Sequence, residues 1–205
     1  MNIAVFASGR GSNFQAILHA IDAGLLPARI VVLISNKFDA GAIEIARAYN
    51  ISTQHLSQKM FSSEEALADA MLEILEKEHA EFIALAGYMK KIPAHVIQQY
   101  RNRIVNIHPA LLPSFGGEGM YGRRVHEAVL ASGVKVSGAT VHLVDEEYDR
   151  GPILLQKTVT IVSDDTPDSL AAKVLKIEHE IFPLVLKAFA EGRVKIEGRK
   201  AWITS

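Results

Sequence analysis

The sequence contains no cysteine among its 205 residues, which excludes disulfides, Cys-ligated zinc sites and thiol nucleophiles. Its charges are also nearly balanced, since it contains 22 Lys and Arg residues and 23 Asp and Glu residues. We therefore expect neither nucleic acid nor a membrane surface as a partner. No apolar run approaches bilayer-spanning length, and Met1–Ala7 is typical of a buried strand rather than a targeting segment. These absences favour a cytoplasmic protein.

Apolar residues make up 49% of the chain, enough for a sizeable core. In the first half, short apolar runs alternate with helical patterns. Strands are predicted at residues 2–7, 29–34, 52–56, 81–86 and 103–107, with helices at 12–23, 39–49, about 62–79 and 93–100. Ser62 or Ser63 can cap the third helix, and Ser62 with Glu65 has capping-box spacing. The alternation predicts a doubly wound α/β sheet.

The last third of the chain has a different pattern. Two long β-branched runs, 134–144 and 153–162, predict antiparallel strands, and 167–190 predicts a long helix. Residues 194–196 and 201–204 are candidate short edge strands. The expected fold is therefore α/β, a doubly wound and mostly parallel twisted sheet with antiparallel C-terminal strands. We expect one domain over residues 1–205, with halves at 1–110 and 111–205.

A glycine turn, Gly9-Arg-Gly-Ser-Asn13, separates the first strand from the first helix. Glycines permit close backbone approach, and a helix N-terminus attracts phosphate. The turn is not a P-loop, because no Gly-Lys-Ser/Thr follows. Phe14 stands where a dinucleotide fingerprint has its third glycine. The alternative is an ordinary strand-to-helix turn, and the spacing alone does not decide between them.

Asn106 and His108 end the fifth predicted strand, just before Pro109. Side chains two residues apart on a strand project to the same side, and ligands of open α/β sheets bind at strand carboxyl ends. An amide and an imidazole placed together could stabilise an oxyanion and move a proton. Taken alone, His108 would more often be a satisfied core histidine.

An acidic turn, Asp145-Glu-Glu-Tyr-Asp-Arg-Gly-Pro152, joins the two long strands. Such a turn is most often a set of solvated charges, although it could also bind a metal. One carboxylate could instead approach His108 and raise its pKa. The residues alone do not determine which one.

Together these motifs resemble the phosphoribosylglycinamide formyltransferase family over nearly the whole chain. The markers are Ser8-Gly-Arg-Gly-Ser-Asn13, Ile34-Ser-Asn-Lys37, Leu85-Ala-Gly-Tyr-Met89, Asn106-Ile-His-Pro-Ala-Leu-Leu-Pro113, Val141-His142 and Asp149-Arg-Gly-Pro152. The Asn-x-His-Pro-x-Leu-Leu-Pro stretch is specific to folate-linked formyl transferases and hydrolases. The Gly-x-Gly-Ser-Asn turn narrows the resemblance to the glycinamide branch.

The resemblance implies a role for each matching position. Asn106, His108 and Asp149 would be catalytic. Ribonucleotide binding would fall to Gly11, Ser12, Asn13, Gly87, Pro109 and Glu178. Folate binding would fall to Met89, Lys90, Lys91, Ile92, Asn106, Val144, Asp145, Glu146, Glu147, Tyr148 and Asp149. Residues 1–110 would form the nucleotide-binding half, and residues 111–205 would complete the folate site.

The reaction implied by the resemblance moves the formyl group of N10-formyltetrahydrofolate, a cosubstrate, to the amine of glycinamide ribonucleotide in purine biosynthesis. Asn106 and a protonated His108 would stabilise the tetrahedral oxyanion. Asp149 would hold His108 charged and relay the proton. No metal is expected, and the protein would be a monomer or homodimer with small-molecule partners.

The chain departs from the family pattern at several positions. Residues 114–122 are glycine-rich, which suggests a flexible lid, and Arg123 or Arg124 could touch phosphate. Glu64 stands where an arginine often reaches the folate tail. The alternatives are a formyltetrahydrofolate hydrolase or aminoacyl-tRNA formyltransferase, which usually carry an extra domain, and a non-catalytic nucleotide-binding module.

Overall fold

The computed structural model describes residues 1–204 and contains nine strands and six α-helices. The strands are β1 Asn2–Phe6, β2 Arg29–Ser35, β3 Ser52–His55, β4 Phe82–Leu85, β5 Ile104–His108, β6 Val136–Leu143, β7 Ile153–Thr160, β8 Val194–Glu197 and β9 Lys200–Ile203. The helices are α1 Ser12–Asp22, α2 Gly41–Ala48, α3 Glu64–Lys77, α4 Ala94–Gln99, α5 Arg123–Ala131 and α6 Pro167–Ala190. A short 3-10 helix occupies Gln58–Met60.

Seven strands form one sheet in the order β3-β2-β1-β4-β5-β6-β7. Strands β1 to β5 pair in parallel, whereas β6 and β7 pair antiparallel. The predicted fold class is confirmed. The chain divides into two compact units, Met1–Asn106 and the residues from Ile107 onward, and the prediction of a single domain stays a prediction.

The first unit is built on β1, in which the four apolar residues from Ile3 to Phe6 are wholly buried and only the initial Asn2 is polar. A strand buried on both faces is apolar throughout rather than alternating. Helix α1 adds Phe14 and Ile17 to this core. The close packing of β1 and α1 therefore fixes the position of the turn that joins them.

The second unit is organised by β6, β7 and the long helix α6. Helix α6 begins with a capping box in which Thr166 and Ser169 each accept from the other's backbone N–H. Its buried face includes Phe182 and Leu186, so burial rather than helix propensity fixes its position. Within residues 1–204 no helix is both long and apolar enough to cross a bilayer.

The structure differs from the sequence-based expectations in three places. Helix α5, which directly follows the glycine-rich segment 114–122, was not predicted. The strands β8 and β9 form a separate two-stranded sheet rather than edges of the main one. Ser63, not Ser62, caps α3 by accepting from the Ala66 N–H, so the Ser62–Glu65 capping box does not form.

Candidate active site

The glycine turn of the first unit is shaped by Gly11, which caps α1 with a left-handed φ of 83°. A Cβ at this position would lie 2.8 Å from the Cα of Ala42 on α2. Glycine is therefore needed both for the backbone conformation and for the close approach of α2. The turn presents the start of α1, where Ser12 is half-buried and Asn13 is buried.

Ser8 links the ends of three strands of the first unit. Its Oγ donates to Oδ1 of Asn36 (2.5 Å) and accepts from the Met89 N–H (2.8 Å). Its own N–H donates to the Gly87 carbonyl (3.1 Å). In the sequence, Ser8 and Asn36 are distinguished only as markers of the family, although each lies just after the end of a strand. They position the Gly87–Met89 backbone relative to the glycine turn.

The segment predicted to bind folate, from Met89 to Ile92, divides by exposure. Met89 is 44% exposed, and Lys90 and Lys91 are exposed. Ile92 as a whole is 2% exposed and belongs to the core. A contact between Ile92 and the folate therefore stays a prediction from the resemblance.

In the second unit, His108 and Asp149 come together although 41 positions separate them along the chain. Nδ1 of His108 lies 3.6 Å from Oδ2 of Asp149, and the two side chains are only 4% and 12% exposed. This distance is too long for a direct hydrogen bond, and the contact is an ion pair only when the imidazole is protonated. Asp149 is thus the carboxylate of the acidic turn that reaches the imidazole.

Asp149 has two further contacts that the sequence did not indicate. Its Oδ1 lies 3.5 Å from Nε2 of His142, and its Oδ2 accepts from the Gly117 N–H at 2.9 Å. His142 is buried on β6, and its Nδ1 donates to the Leu143 carbonyl at 2.7 Å. The only available signal for His142 was its place in the family motif.

The glycine-rich segment 114–122 closes over this pair. The Phe115 carbonyl accepts from Nε2 of His108 at 2.8 Å. A Cβ at Gly116 would overlap the Leu112 side chain and lie 3.0 Å from Cβ of Asp149. In the structure, part of the predicted flexible lid is therefore a close-fitting wall of the His108–Asp149 site.

The ionisation of the pair follows from burial and these contacts. Burial raises the pKa of Asp149, but His142, His108 and the Gly117 N–H outweigh it, and the pKa lies below its usual value. Burial also lowers the pKa of His108, and the opposing influence of Asp149 and the Phe115 carbonyl does not restore it. As expected, Asp149 raises the pKa of His108. The larger effect of burial nevertheless leaves this pKa below its ordinary value, which is opposite to the expectation. The expected charged form of the imidazole is therefore not favoured.

The remaining predicted residues are placed as follows. Asn106 is half-buried on β5 as the last residue of the first unit, and its cooperation with His108 stays a prediction from strand spacing. Glu178 is 8% exposed on α6. Pro109, Val144, Asp145 and Glu146 are half-buried, while Glu147 and Tyr148 are exposed.

Arg123 does not fit the phosphate contact considered for it. Its guanidinium donates to Glu127 and Asp168 and is therefore already neutralised. Arg124 instead lies over the Tyr121 ring, 5.4 Å from its centroid. Within residues 1–204 no group of three or more acidic or histidine side chains is arranged to hold a metal ion.

Residues 1–186 match the family described as Formyl transferase. The Escherichia coli (strain K12) phosphoribosylglycinamide formyltransferase is 36% identical over 99% of this chain and 93% of its own length. The chloroplastic enzyme of that name from Arabidopsis thaliana is 43% identical over 94% of this chain, which spans only 66% of the plant protein. The crystal structure of glycinamide ribonucleotide transformylase 1 from Symbiobacterium toebii superposes with a TM-score of 0.94, at 38% identity, over 100% of this chain and 94% of that one. The chain therefore belongs to the formyl transferase family, and within it to the phosphoribosylglycinamide formyltransferases.

Proposed function

We propose that this protein transfers the formyl group of N10-formyltetrahydrofolate to the amine of glycinamide ribonucleotide, as a step of purine biosynthesis. The observation that carries the proposal is a largely buried carboxylate, that of Asp149, which lies 3.6 Å from the imidazole of His108. Relatives bearing this activity in their names match most of the chain. A cytoplasmic location and a monomeric or homodimeric state remain part of the prediction.

The phosphate of the ribonucleotide is the first group for which a binding site is assigned. The N–H groups in the first turn of a helix have no intrahelical acceptors, and they attract anions. Gly11, Ser12 and Asn13 start α1 and would hold the phosphate. Gly87 and Pro109 would offer backbone groups to the glycinamide, and the carboxylate of Glu178 would accept from ribose hydroxyls.

Two segments are assigned to the formyl folate. Met89, Lys90, Lys91 and Ile92 form the first, and residues 144–149 form the second. Main-chain groups can hydrogen-bond the polar edge of a pteridine, while exposed lysines suit the carboxylates of its tail. Glu64, the first residue of α3, cannot supply the positive charge that an arginine would bring.

In the proposed chemistry the glycinamide amine, as the free base, attacks the formyl carbon and the carbonyl oxygen becomes an oxyanion. Asn106 and an N–H of His108 donate to that oxygen. For His108 this bond would replace the one its Nε2 now makes with the Phe115 carbonyl. A neutral imidazole can donate in this way, so the lowered pKa of His108 is compatible with the role.

Proton transfer is assigned to Asp149. Because its pKa lies below the usual value, the carboxylate is ionised at neutral pH and can accept a proton. The proton leaves the attacking amine, passes through Asp149 or a bound water, and reaches N10 of the departing tetrahydrofolate. Collapse of the tetrahedral intermediate then breaks the folate C–N bond and completes the formamide.

The test is to mix the protein with glycinamide ribonucleotide and N10-formyltetrahydrofolate and to follow the folate absorbance. We expect turnover only when both substrates are present. Release of tetrahydrofolate without ribonucleotide would instead identify a hydrolase. His108→Ala should lower kcat by roughly 10²–10⁴-fold, whereas His95→Ala, at an exposed histidine of α4, should leave it unchanged.

A further inference from the structure

A second concave site lies within the second unit, between the end of the acidic turn and the hairpin β8–β9. Its volume is about 390 Å³, within the range of small-molecule sites. Its apolar lining includes Leu112, Pro152, Ile153 and Trp202. Trp202 is 44% exposed, so part of this residue is accessible to a ligand.

The lining also includes three positively charged residues, Arg150, Arg199 and Lys200. Arg199 is already engaged, since it donates to the Arg150 carbonyl and lies 3.8 Å from Oδ2 of Asp145. Within the described chain, 1–204, the side chains of Arg150 and Lys200 form no ion pair or hydrogen bond. Two uncompensated cations beside an aromatic wall are suited to an anion that also has an apolar face.

Asp149 sets the polarity of the cavity. Asp149 also lines the cavity, and its carboxylate contacts His108, His142 and the Gly117 N–H. A negative group on a ligand would be repelled by Asp149 and drawn to Arg150 and Lys200. The ligand's ring would then lie against the indole.

We propose that this cavity binds a small planar aromatic anion, with its ring against Trp202 and its negative group at Arg150 and Lys200. None of the cavity's features is needed for the proposed formyl transfer except Asp149, and binding there can be measured without turnover. The proposal therefore stands or fails separately from the proposed function.

The chain offers a built-in reporter, because Trp202 is its only tryptophan. The probe is benzene-1,3-dicarboxylate, titrated into the full-length protein while tryptophan emission is recorded. We expect a saturable change in emission. Benzamide, which has a similar ring without the charge, should give no saturable change at the same concentrations. A saturable response of equal strength to benzamide, or none to the dicarboxylate, overturns the proposal.

Variants test whether the fluorescence response depends on Arg150 and Lys200. Arg150→Gln combined with Lys200→Gln removes two exposed charges and should weaken the apparent affinity roughly tenfold, the equivalent of two exposed charge pairs. Lys195→Gln removes a charge from the same hairpin at a residue paired with Trp202 but outside the cavity, and it should leave the affinity unchanged. An unchanged affinity in the double variant, with circular dichroism matching the wild type, overturns the assignment.

Discussion

The glycine turn after β1 and the acidic turn after β6 are both functional candidates, but different interactions hold them in place. The glycine turn is defined by the backbone, through the left-handed Gly11 and the close packing of Ala42. The acidic turn is defined by one largely buried charge, that of Asp149, whose partners come from other elements of the second unit. We therefore expect substitutions that add bulk to destabilise the glycine turn, and substitutions that remove charge to impair the acidic turn.

The largest expected effect is at the charged turn. Asp149→Asn keeps the size of the side chain but removes the charge that His108 and His142 face. We expect kcat to fall by roughly 10²–10³-fold, because proton transfer then lacks its base. Steady-state kinetics with both substrates measures this effect.

The control for this variant is Asp164→Asn, an exposed residue before α6, which should keep wild-type kinetics. The acid limb of the kcat/KM profile should disappear in Asp149→Asn if it reports the carboxylate. A variant that keeps both the rate and the pH profile would separate Asp149 from the chemistry and remove the basis of the comparison.

The next effect is steric and concerns the glycine turn. Gly11→Ala places a Cβ 2.8 Å from the Ala42 backbone and forces a left-handed φ on alanine. The combined cost should be about 2–4 kcal/mol of unfolding free energy. Gly9→Ala, where a Cβ meets no atom within 4 Å, should cost far less. Urea unfolding of the two variants compares them directly.

Because Gly11 packs against α2, a substitution at Gly11 is a poor test of phosphate binding. A bulky substitution such as Gly11→Val would displace α2 as well as the turn, so weaker ribonucleotide binding in it would not isolate the phosphate contact. Ser12→Ala, at a half-buried position that packs less tightly, is the better probe of binding. Equal stability of Gly11→Ala and Gly9→Ala would show that the turn is not held by packing.

These two turns also show how far the sequence could be interpreted. The glycine turn, β1 and α1 were predicted within one or two residues, because turn chemistry and periodicity are local. The contacts of Asp149 were not predicted from pattern, since the Gly117 N–H lies 32 positions away. Helix α5 was missed because the glycines before it, including its cap Gly122, indicate flexibility when taken alone.

A smaller effect is expected from His142, the second imidazole at Asp149. His142→Gln keeps a polar side chain but removes the ring nitrogen that lies 3.5 Å from Oδ1. His142 acts through Asp149, so we expect a loss of roughly tenfold in kcat, typical of partners that orient a reactive group. The KM values for both substrates should stay near wild type. A change confined to KM would show that His142 serves binding instead.

The smallest expected effect is a difference between the two turns in how their local stability changes with pH. The folded-state pKa of His108 and that of His126, which is buried on α5, both lie below the ordinary value of 6.5. The unfolded chain therefore binds more protons than the folded one once the pH falls below about 6.5, and stability declines as acid is added. Asp149 has a lowered pKa, so its contribution persists at this stage and is lost only below its ordinary value of 3.8.

The glycine turn contains no histidine or carboxylate, so mild acid should loosen it less. Hydrogen exchange between pH 7 and 5, corrected for intrinsic rates, can follow the Gly117 N–H bonded to Asp149 and the Ala42 N–H bonded to the Gly9 carbonyl. We expect protection to fall first at Gly117, and His126→Leu to reduce that fall because it removes a buried imidazole whose Nδ1 has no partner within residues 1–204. An equal loss of protection at both amides would mean that the two turns open together. The charge of Asp149 and the packing around Gly11 would then not set separate local stabilities.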